Sequence, residues 1–428
     1  MQDRRALAAV AAQFWINGMV HAAVVPRLPD IRDRLQIDVA ELGLILTIAA
    51  VGGLAGSAIG GPAVVRLGTR RCIIIGTGVT LLVLPVIGLT TSVIVLTASL
   101  AVMSLLDVVI DISMNIQGSR LSARRATPVM NRLHGLWSLG TVFGGLVAVR
   151  VTAAGVPIWL HLSGVAAVLA VTVGVSGRFL LRDDEPSNPG DEPIASAVGI
   201  PGERRPRSRF GYPLLLGLLG GAAVAMELTT SDWAAFRLAD DLGVTAGQVG
   251  LGFVAFTSGM VTGRFAGDTI QGLVGTESLV RYAALLAAFG LLLATVVPGD
   301  AFSALGLDWL TPTVVSIAGF YIAALGVSVI FPQLYDRAAR APGPAGRGLA
   351  AVTAGTRIAG LAAPVIVGVL ADTTLSVGTA IALVTVPSCV IMVGASSLAG
   401  RLGFDDPASS GASGDRTSSS HALPSGDG

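Results

Sequence analysis

The sequence predicts an all-α membrane protein whose twelve transmembrane helices form two six-helix bundles. Three observations support this prediction: the composition, a series of apolar segments, and an internal repeat. Of the 428 residues, 52% are hydrophobic and 13% are charged, whereas about 25% of a soluble protein is charged. So little charge in a chain this apolar indicates that most of its surface faces lipid.

Twelve apolar segments reach the length of about 20 residues that a helix needs to cross a bilayer. The first six predicted spans are residues 6–26, 42–65, 73–92, 93–115, 134–153 and 157–177. The second six are residues 212–231, 247–267, 280–298, 311–332, 349–370 and 377–398. We therefore predict an N-terminal bundle (1–177), a polar cytoplasmic linker (178–211), a C-terminal bundle (212–398) and a disordered cytoplasmic tail (399–428).

All 28 basic residues are arginines, and their distribution predicts the orientation of the chain. Five lie on the outer side of the predicted spans: Arg27, Arg32, Arg34, Arg150 and Arg237. Arg357 falls within a helix, and the other 22 lie on the side of the two termini. Basic residues accumulate on the cytoplasmic side, so we expect a multi-pass protein of the cytoplasmic membrane with both termini in the cytoplasm. A net charge of +1 indicates no nucleic-acid partner.

An internal repeat appears when the sequence is shifted by 207 residues. The shift aligns residues 41–69 with residues 248–276, and seven positions then carry the same residue, five of them glycine. Gly52, Gly56 and Gly60 belong to a ladder of glycines that recurs in the second half, and such a ladder lets another helix approach closely. It serves either helix packing alone or the sliding of the second and eighth helices. Both uses fit a parallel two-fold repeat of six helices, as in one class of secondary transporters.

The segment from the second to the third helix, residues 61–71, is similar to the signature loop of the major facilitator superfamily. Five of its positions match that signature: Gly61, Arg66, Gly68, Arg70 and Arg71. Val65 stands where the family has an acid that helps to lock the cytoplasmic side, so the resemblance implies that this half lacks that contact. The corresponding stretch of the second half keeps a base and an acid, Arg264 and Asp268, which we expect at the same membrane edge.

The resemblance covers nearly the whole chain and implies a secondary transporter rather than an enzyme. Residues 14–18 and 131–140 look more like the fucose-permease-related bacterial branch of that superfamily. The expected partners are a small-molecule substrate, protons and the lipid bilayer, and we expect a monomer with no cofactor and no metal site.

Two acidic residues lie inside the fourth predicted helix, where a charge costs roughly 2.5–3.5 kcal/mol. Asp107 and Asp111 share one helical face with Ser104 and Asn115, because they are three or four residues apart. A carboxyl group removed from water takes up a proton more readily, and the fucose-permease branch uses a carboxylate of this helix in proton coupling. We predict that Asp107 is the proton site, and Asp111 either shares this role or pairs with an arginine such as Arg120.

Other polar side chains at membrane depth are candidates for substrate binding. In the first helix Gln13, Asn17 and His21 follow each other at four-residue spacing, which suits either a polar solute or contacts between helices. His134 and Trp137 lie on a polar face of the fifth helix, and Trp137 would stack on a ring or simply pack.

Two charged residues remain inside the predicted spans. Glu227 in the seventh helix is a second candidate for proton coupling. Arg357 in the eleventh helix lies at about the same depth as Asp107, so we expect these two to pair in one conformation and separate in another. Direct binding of an anionic substrate by Arg357 is the alternative.

The sequence favours proton-coupled export of a small molecule by alternating access. Proton symport of a sugar or another polar solute into the cell is the alternative. A membrane enzyme is a remote alternative, since Asp107 and Asp111 resemble one acidic motif of a prenyltransferase but no second such pair lies in another helix. A sensor or scaffold would need a folded soluble domain, and neither the linker nor the tail has the composition of one.

Overall fold

The computed structural model describes residues 2–125, 129–182, 211–296, 311–339 and 347–401. Twelve helices in this part are long and apolar enough to span a membrane. The N-terminal bundle contains α1 (Gln2–Val24), α2 (Val39–Leu67), α3 (Thr69–Leu89), α4 (Val93–Arg125), α5 (Met130–Ala153) and α6 (Ile158–Ser176). The C-terminal bundle contains α7 (Gly211–Phe236), α8 (Leu251–Val274), α9 (Thr276–Thr295), α10 (Pro312–Ala339), α11 (Arg347–Ala371) and α12 (Val377–Arg401). The predicted fold class is therefore confirmed.

Several helices extend beyond the apolar segments from which they were predicted. α4 continues ten residues past the predicted end to Arg125, and α8 and α10 each continue seven residues, to Val274 and Ala339. α7 continues to Phe236 and then through a π-helical turn, Arg237–Asp241. Hydropathy detects only the part of a helix that lies in hydrocarbon, whereas the backbone hydrogen bonds continue into the polar region. Most of the predicted linker (183–210) and of the predicted tail (402–428) lies outside the described residues.

The connection between α1 and α2 is ordered by short helices and a cap. A 3₁₀ turn (Val25–Arg27) leads into a helix of eight residues (Leu28–Leu35). Asp38 then begins α2 with a capping box: its Oδ1 accepts a hydrogen bond from the Glu41 backbone N–H at 2.6 Å, and Glu41 Oε2 accepts one from the Asp38 N–H at 3.1 Å. The two bonds satisfy backbone donors that a helix start leaves free.

The repeat seen in the sequence is also present in the backbone. Gly68, between α2 and α3, has φ 81° and ψ 158°, and Gly275, between α8 and α9, has φ 78° and ψ 161°. Only glycine adopts this conformation without strain. Both glycines allow a helix to end and the next to begin without an intervening loop, so the two halves share one chain reversal at equivalent positions.

The glycine ladders pack helices of the same bundle against each other. A Cβ at Gly56 would lie 2.5 Å from the Leu105 carbonyl oxygen of α4, and a Cβ at Gly263 would lie 2.7 Å from the Leu325 carbonyl oxygen of α10. Backbones that approach this closely leave no room for a larger residue. The ladders thus join α2 to α4 and α8 to α10, which agrees with helix packing, the first of the two uses considered above.

The hydrophobic cores show how the two bundles meet. We call the side at which α1 begins and α12 ends the terminus side, and the other the opposite side. On the opposite side one core joins both bundles, with Ile31 and Leu42 packed together with Trp233 and Phe253. Each bundle also has a core of its own, such as the cluster around Phe14 near the terminus side of the N-terminal bundle. The core that the two bundles share therefore lies on the opposite side.

Candidate functional site

A cavity of about 470 Å³ lies between the two bundles. Residues of α1, α2, α3, α4, α7 and α11 line it, together with the start of the connection after α1. Most lining side chains are apolar, but five carry a charge, an amide or an imidazole: Asn17, His21, Asp107, Asp232 and Arg357. An apolar cavity with a few convergent polar groups is the usual form of a small-molecule site.

Asn17 links two helices across the edge of this cavity. Its Nδ2 donates a hydrogen bond to Asp107 Oδ1 at 2.8 Å, and its Oδ1 accepts one from Trp137 Nε1 at 2.7 Å. The amide is oriented by these two bonds, because only its nitrogen can donate to the carboxylate and only its oxygen can accept from the indole. Asn17 therefore joins α1 to α4 and to α5, and brings three of the predicted site residues together.

Arg357 lies at the same level of the bundle as Asp107. Arg357 Nη2 donates to Ser57 Oγ of α2 at 2.5 Å. Along α2, a Cβ at Gly53 would lie 2.8 Å from Ser104 Oγ, and a Cβ at Gly60 would lie 2.6 Å from Ile112 Cδ1. Ser57 is midway between these glycines, which puts it level with residues 107–109 of α4. Arg357 and Asp107 line one cavity at one depth, and in this conformation Arg357 bonds to Ser57 instead of to Asp107.

A smaller cavity of about 200 Å³ adjoins the first and shares Asn17, His21 and Asp107 with it. Glu227 and Arg264 form an ion pair in its wall, with Glu227 Oε1 at 3.5 Å from Arg264 Nη2. Arg264 Nη1 also donates to Ser138 Oγ of α5 at 3.3 Å, across the two bundles.

Arg264 lies inside α8 rather than at its end. It lies ten residues before the end of α8, or about 15 Å inside it. The role expected of Arg264 at the membrane edge stays a prediction, and α8 continues seven residues past its predicted end to Val274. Asp268 belongs to the same helix, but its side chain is outside the described part of the structure.

Three other predicted residues lie apart from both cavities. Gln13 is 1% exposed and donates to Ser176 Oγ of α6 at 2.9 Å, so it holds helices together, which was the alternative left open above. Asp111 accepts a hydrogen bond from Asn115 Nδ2 at 2.9 Å on its own helix. His134 packs edge-on against Phe14, with ring centroids 5.2 Å apart.

The residues of the signature segment lie at the terminus side of α2 and α3. Gly61 and Arg66 are part of α2, and Gly68 alone forms the reversal. Arg70 Nε donates to the Gly177 carbonyl oxygen at 3.1 Å, which ties α3 to the end of α6. Arg66 and Arg71 are exposed, as is Val65 at the position of the family's acid.

Asp232 is a cavity residue that the sequence reasoning missed. The seventh predicted span ends at residue 231, so Asp232 falls at its outer edge, but α7 and its π-helical turn continue nine residues further, to Asp241. Asp232 is therefore about 13 Å inside the helical segment. The run Thr229-Thr230-Ser231-Asp232 lowers the local hydropathy and mimics a helix end. The apolar residues that follow it, from Trp233 to Phe236, were the available signal that the helix continues.

Comparison with known proteins gives consistent matches over most of the chain. The family model of the Major Facilitator Superfamily matches residues 10–364. An uncharacterised transporter of Sinorhizobium fredii is 28% identical over 365 residues, covering 85% of this chain and 90% of that protein. An uncharacterised MFS-type transporter of Yersinia pestis is 27% identical over 362 residues, covering 84% of this chain and 87% of that protein. The nucleoside transporter NupG has the same fold, with a TM-score of 0.68 at 11% identity over 94% of this chain and 99% of its own.

Proposed function

Because the chain belongs to the Major Facilitator Superfamily and is a membrane transporter of a small solute, we propose that it exports an amphipathic small molecule in exchange for protons. Asp107 is the proposed proton site. The observation that carries this proposal is the hydrogen bond from Asn17 to Asp107 at 2.8 Å, beside the cavity between the bundles. A carboxylate at this depth is costly unless it is neutralised or paired, and no described arginine lies within 4.0 Å of it.

Proton binding at Asp107 would alter the contacts of the cavity. A protonated carboxyl group donates one hydrogen bond, whereas the carboxylate only accepts. Asp107 and Arg357 lie at one depth on the same cavity, so the charged carboxylate would attract the guanidinium and the neutral form would release it. We propose that this exchange links protonation to the relative position of the two bundles.

The proposed orientation places the terminus side of the cavity at the cytoplasm. The arginine distribution supports a cytoplasmic terminus side and a location in the cytoplasmic membrane. Under that assignment, the present conformation offers its cavity to the cytoplasm, because the bundles share a core only on the opposite side. The mostly apolar cavity wall supports an amphipathic solute that partitions into this space.

We propose that residues 178–211 form the cytoplasmic linker between the bundles. We also propose that the protein works as a monomer.

Uptake of a polar solute with a proton is the second candidate. The polar cluster formed by Asn17, Trp137 and His21 favours it, since amide, indole and imidazole groups recognise hydroxyl-bearing solutes. In that case Asp107 would deliver its proton in the same direction as the solute.

The test is proton flux in proteoliposomes loaded with a pH dye and challenged with sugars, organic acids and cationic amphiphiles. Wild type, Asp107→Asn and Asp111→Asn are compared, because Asp111 lies one turn from Asp107 on the same helix and bonds to Asn115. Solute-dependent proton flux that persists in Asp111→Asn and is lost in Asp107→Asn is the expected result. Full proton flux in Asp107→Asn would exclude Asp107 as the proton site and make Glu227 the candidate proton site. Protons that move opposite to the solute would indicate export by exchange, and protons that move with the solute would indicate uptake by symport.

A further inference from the structure

Asp232 is the acidic residue of the larger cavity that no other described side chain engages. It lines the cavity on α7, and no hydrogen bond or ion pair reaches its carboxylate from the described residues. The other carboxylate of this cavity, Asp107, receives the Asn17 amide. The smaller cavity holds Glu227, which is paired with Arg264. Asp232 thus differs from both in having no hydrogen-bond or ion-pair partner among the described residues.

The position of Asp232 is close to the end of the cavity that the bundles seal. α7 and α11 run side by side in the same direction, and a Cβ at Gly221 would lie 3.2 Å from the Gly355 carbonyl oxygen. Gly221 is therefore level with the neighbourhood of Arg357, and Asp232 lies eleven residues further along α7. At about 1.5 Å per residue this is about 16 Å nearer the opposite side. Arg357 and Asp107 thus line the part of the cavity nearer its open end, and Asp232 lines the part nearer its sealed end.

The surroundings of Asp232 are apolar. Val24, Val25, Leu28 and Leu46 line the sealed part of the cavity, from α1, the connection after it, and α2. A carboxylate among such residues is stable only if it takes up a proton or pairs with a cation. A solute that enters an apolar cavity and carries one cationic group would satisfy this requirement and bury its apolar part at the same time.

We propose that Asp232 binds the ammonium group of a substrate that is an amphipathic amine, and that it exchanges a proton for this group. This inference rests on the proposed function, whose substrate class it narrows. In the exchange, the O–H bond of the neutral Asp232 carboxyl breaks, one proton leaves to water, and the resulting carboxylate pairs with the ammonium ion. Charge is conserved, because one positive charge enters the cavity as another leaves.

Apart from the imidazole of His21, the other charged and titratable groups around α7 have partners or lie elsewhere in the cavity. His21 of α1 faces the same cavity, with its ring centroid 6.3 Å from that of Phe253 of α8. Asp107 of α4 and Arg357 of α11 lie nearer the open end, as described above. Of the charged residues in the connection that packs against α7, Arg27 pairs with Asp30, and Arg32 pairs with Asp33 and Asp240. Arg237, in the π-helical turn after α7, pairs with Asp241.

The experiment compares three probes that share a skeleton and differ in head group: 4-phenylbutylamine, 4-phenylbutanol and 4-phenylbutyrate. Their binding to the purified full-length protein is measured by titration calorimetry at neutral pH, in two buffers of different ionisation enthalpy. We expect the amine to bind at least tenfold more tightly than the alcohol or the carboxylate, with net release of protons on binding. Acidification should weaken amine binding and leave alcohol binding unchanged, because protons compete only with the cation.

Variants then assign the preference to Asp232. Asp232→Asn should remove both the preference for the amine and the proton release, and Asp232→Glu should retain them. Asp372→Asn is the control, since Asp372 is an exposed carboxylate after the end of α11. If the amine binds wild type no more tightly than the alcohol does, the proposal is overturned even if no variant folds. It is also overturned if the preference for the amine survives in Asp232→Asn. Loss of proton flux in Asp107→Asn is a separate readout, so failure of the proposed function is distinguishable from failure of this inference.

Discussion

Ser57 accepts a hydrogen bond from Arg357 across the two bundles at 2.5 Å, at the level of the membrane where Asp107 lies. Arg357 is thus held by a neutral hydroxyl group while a carboxylate faces the same cavity. A guanidinium held in this way remains available to Asp107 in another conformation. The pairing expected from the sequence is not formed here, but both members are at the depth that it requires.

Neutralising Asp107 and Arg357 together should be milder than neutralising either one. A single change leaves an uncompensated charge at membrane depth, which costs roughly 2.5–3.5 kcal/mol, whereas the double change leaves none. Thermal unfolding in detergent should show Asp107→Asn and Arg357→Gln each less stable than the double variant. A double variant as unstable as the sum of the two singles would exclude an interaction between them.

Asn17→Ala should impair both stability and solute binding, because it removes the hydrogen bonds to Asp107 and Trp137. A bond to a charged group contributes about 1.5–3 kcal/mol and a neutral one about 0.5–1.5 kcal/mol. Trp137→Phe removes only the neutral bond and should have the smaller effect. Gln13→Ala is the matched control on the same helix: its bond to Ser176 is away from the cavities, so it should lower the unfolding temperature and leave KM unchanged. A change in KM for Gln13→Ala would contradict this assignment.

The contrast between Gln13 and Asn17 shows what the sequence could and could not predict. A spacing of four residues rotates a helix by about 400°, so each step drifts by about 40° and Gln13 points about 80° away from His21. The polar stripe of Gln13, Asn17 and His21 that spacing predicts therefore includes one residue, Gln13, whose side chain contacts α6 instead of the cavity. Which end of the stripe faces the cavity depends on the neighbouring helices, and spacing contains no information about them.

The twelve spans and the internal repeat were within reach of the sequence, because hydropathy marks each span and the repeat is visible as identical residues at a fixed shift. Asp232 was not, since a short polar run within a helix resembles its end. The bond between Asn17 and Asp107 joins residues 90 positions apart, and no local pattern encodes it.

Asp240→Asn should favour the conformation that opens on the opposite side. Arg32 of the N-terminal bundle contacts Asp240 of the C-terminal bundle, with Nη2 at 2.8 Å from Oδ1, and lies over the Phe236 ring. Loss of about 1 kcal/mol from this ion pair would shift the population about fivefold. The measurement is labelling of a Leu28→Cys reporter by a membrane-impermeant maleimide applied from the opposite side; the native Cys72 and Cys389 are buried.

Asp33→Asn is the control for this experiment, since Asp33 contacts Arg32 from within the same short helix. It should leave labelling unchanged. The exchanged pair Arg32→Asp with Asp240→Arg should restore the low labelling of wild type. Equal labelling in Asp240→Asn and wild type would show that the ion pair does not hold this side closed.

Gly68→Ala should destabilise the N-terminal bundle by about 1–3 kcal/mol, because its backbone conformation strains any residue with a Cβ. Gly61→Ala is the matched control in the same signature segment. Gly61 is helical and has open space around it, so alanine there should be neutral or stabilising by up to about 1 kcal/mol. Unfolding temperatures of the two variants test this, and equal effects would refute the backbone explanation.

The shared core on the opposite side has a consequence for a protein cut in two. If the chain were divided between Arg182 and Gly211 and the pieces produced in the same cell, each would contain all six of its helices, internally joined by the glycine ladders. Each piece alone would expose its half of the packing surface that the two bundles share, in which Ile31 and Leu42 pack with Trp233 and Phe253. Association of the two pieces is needed to bury this surface. The pieces should therefore copurify as a complex, while either piece produced without the other should be degraded.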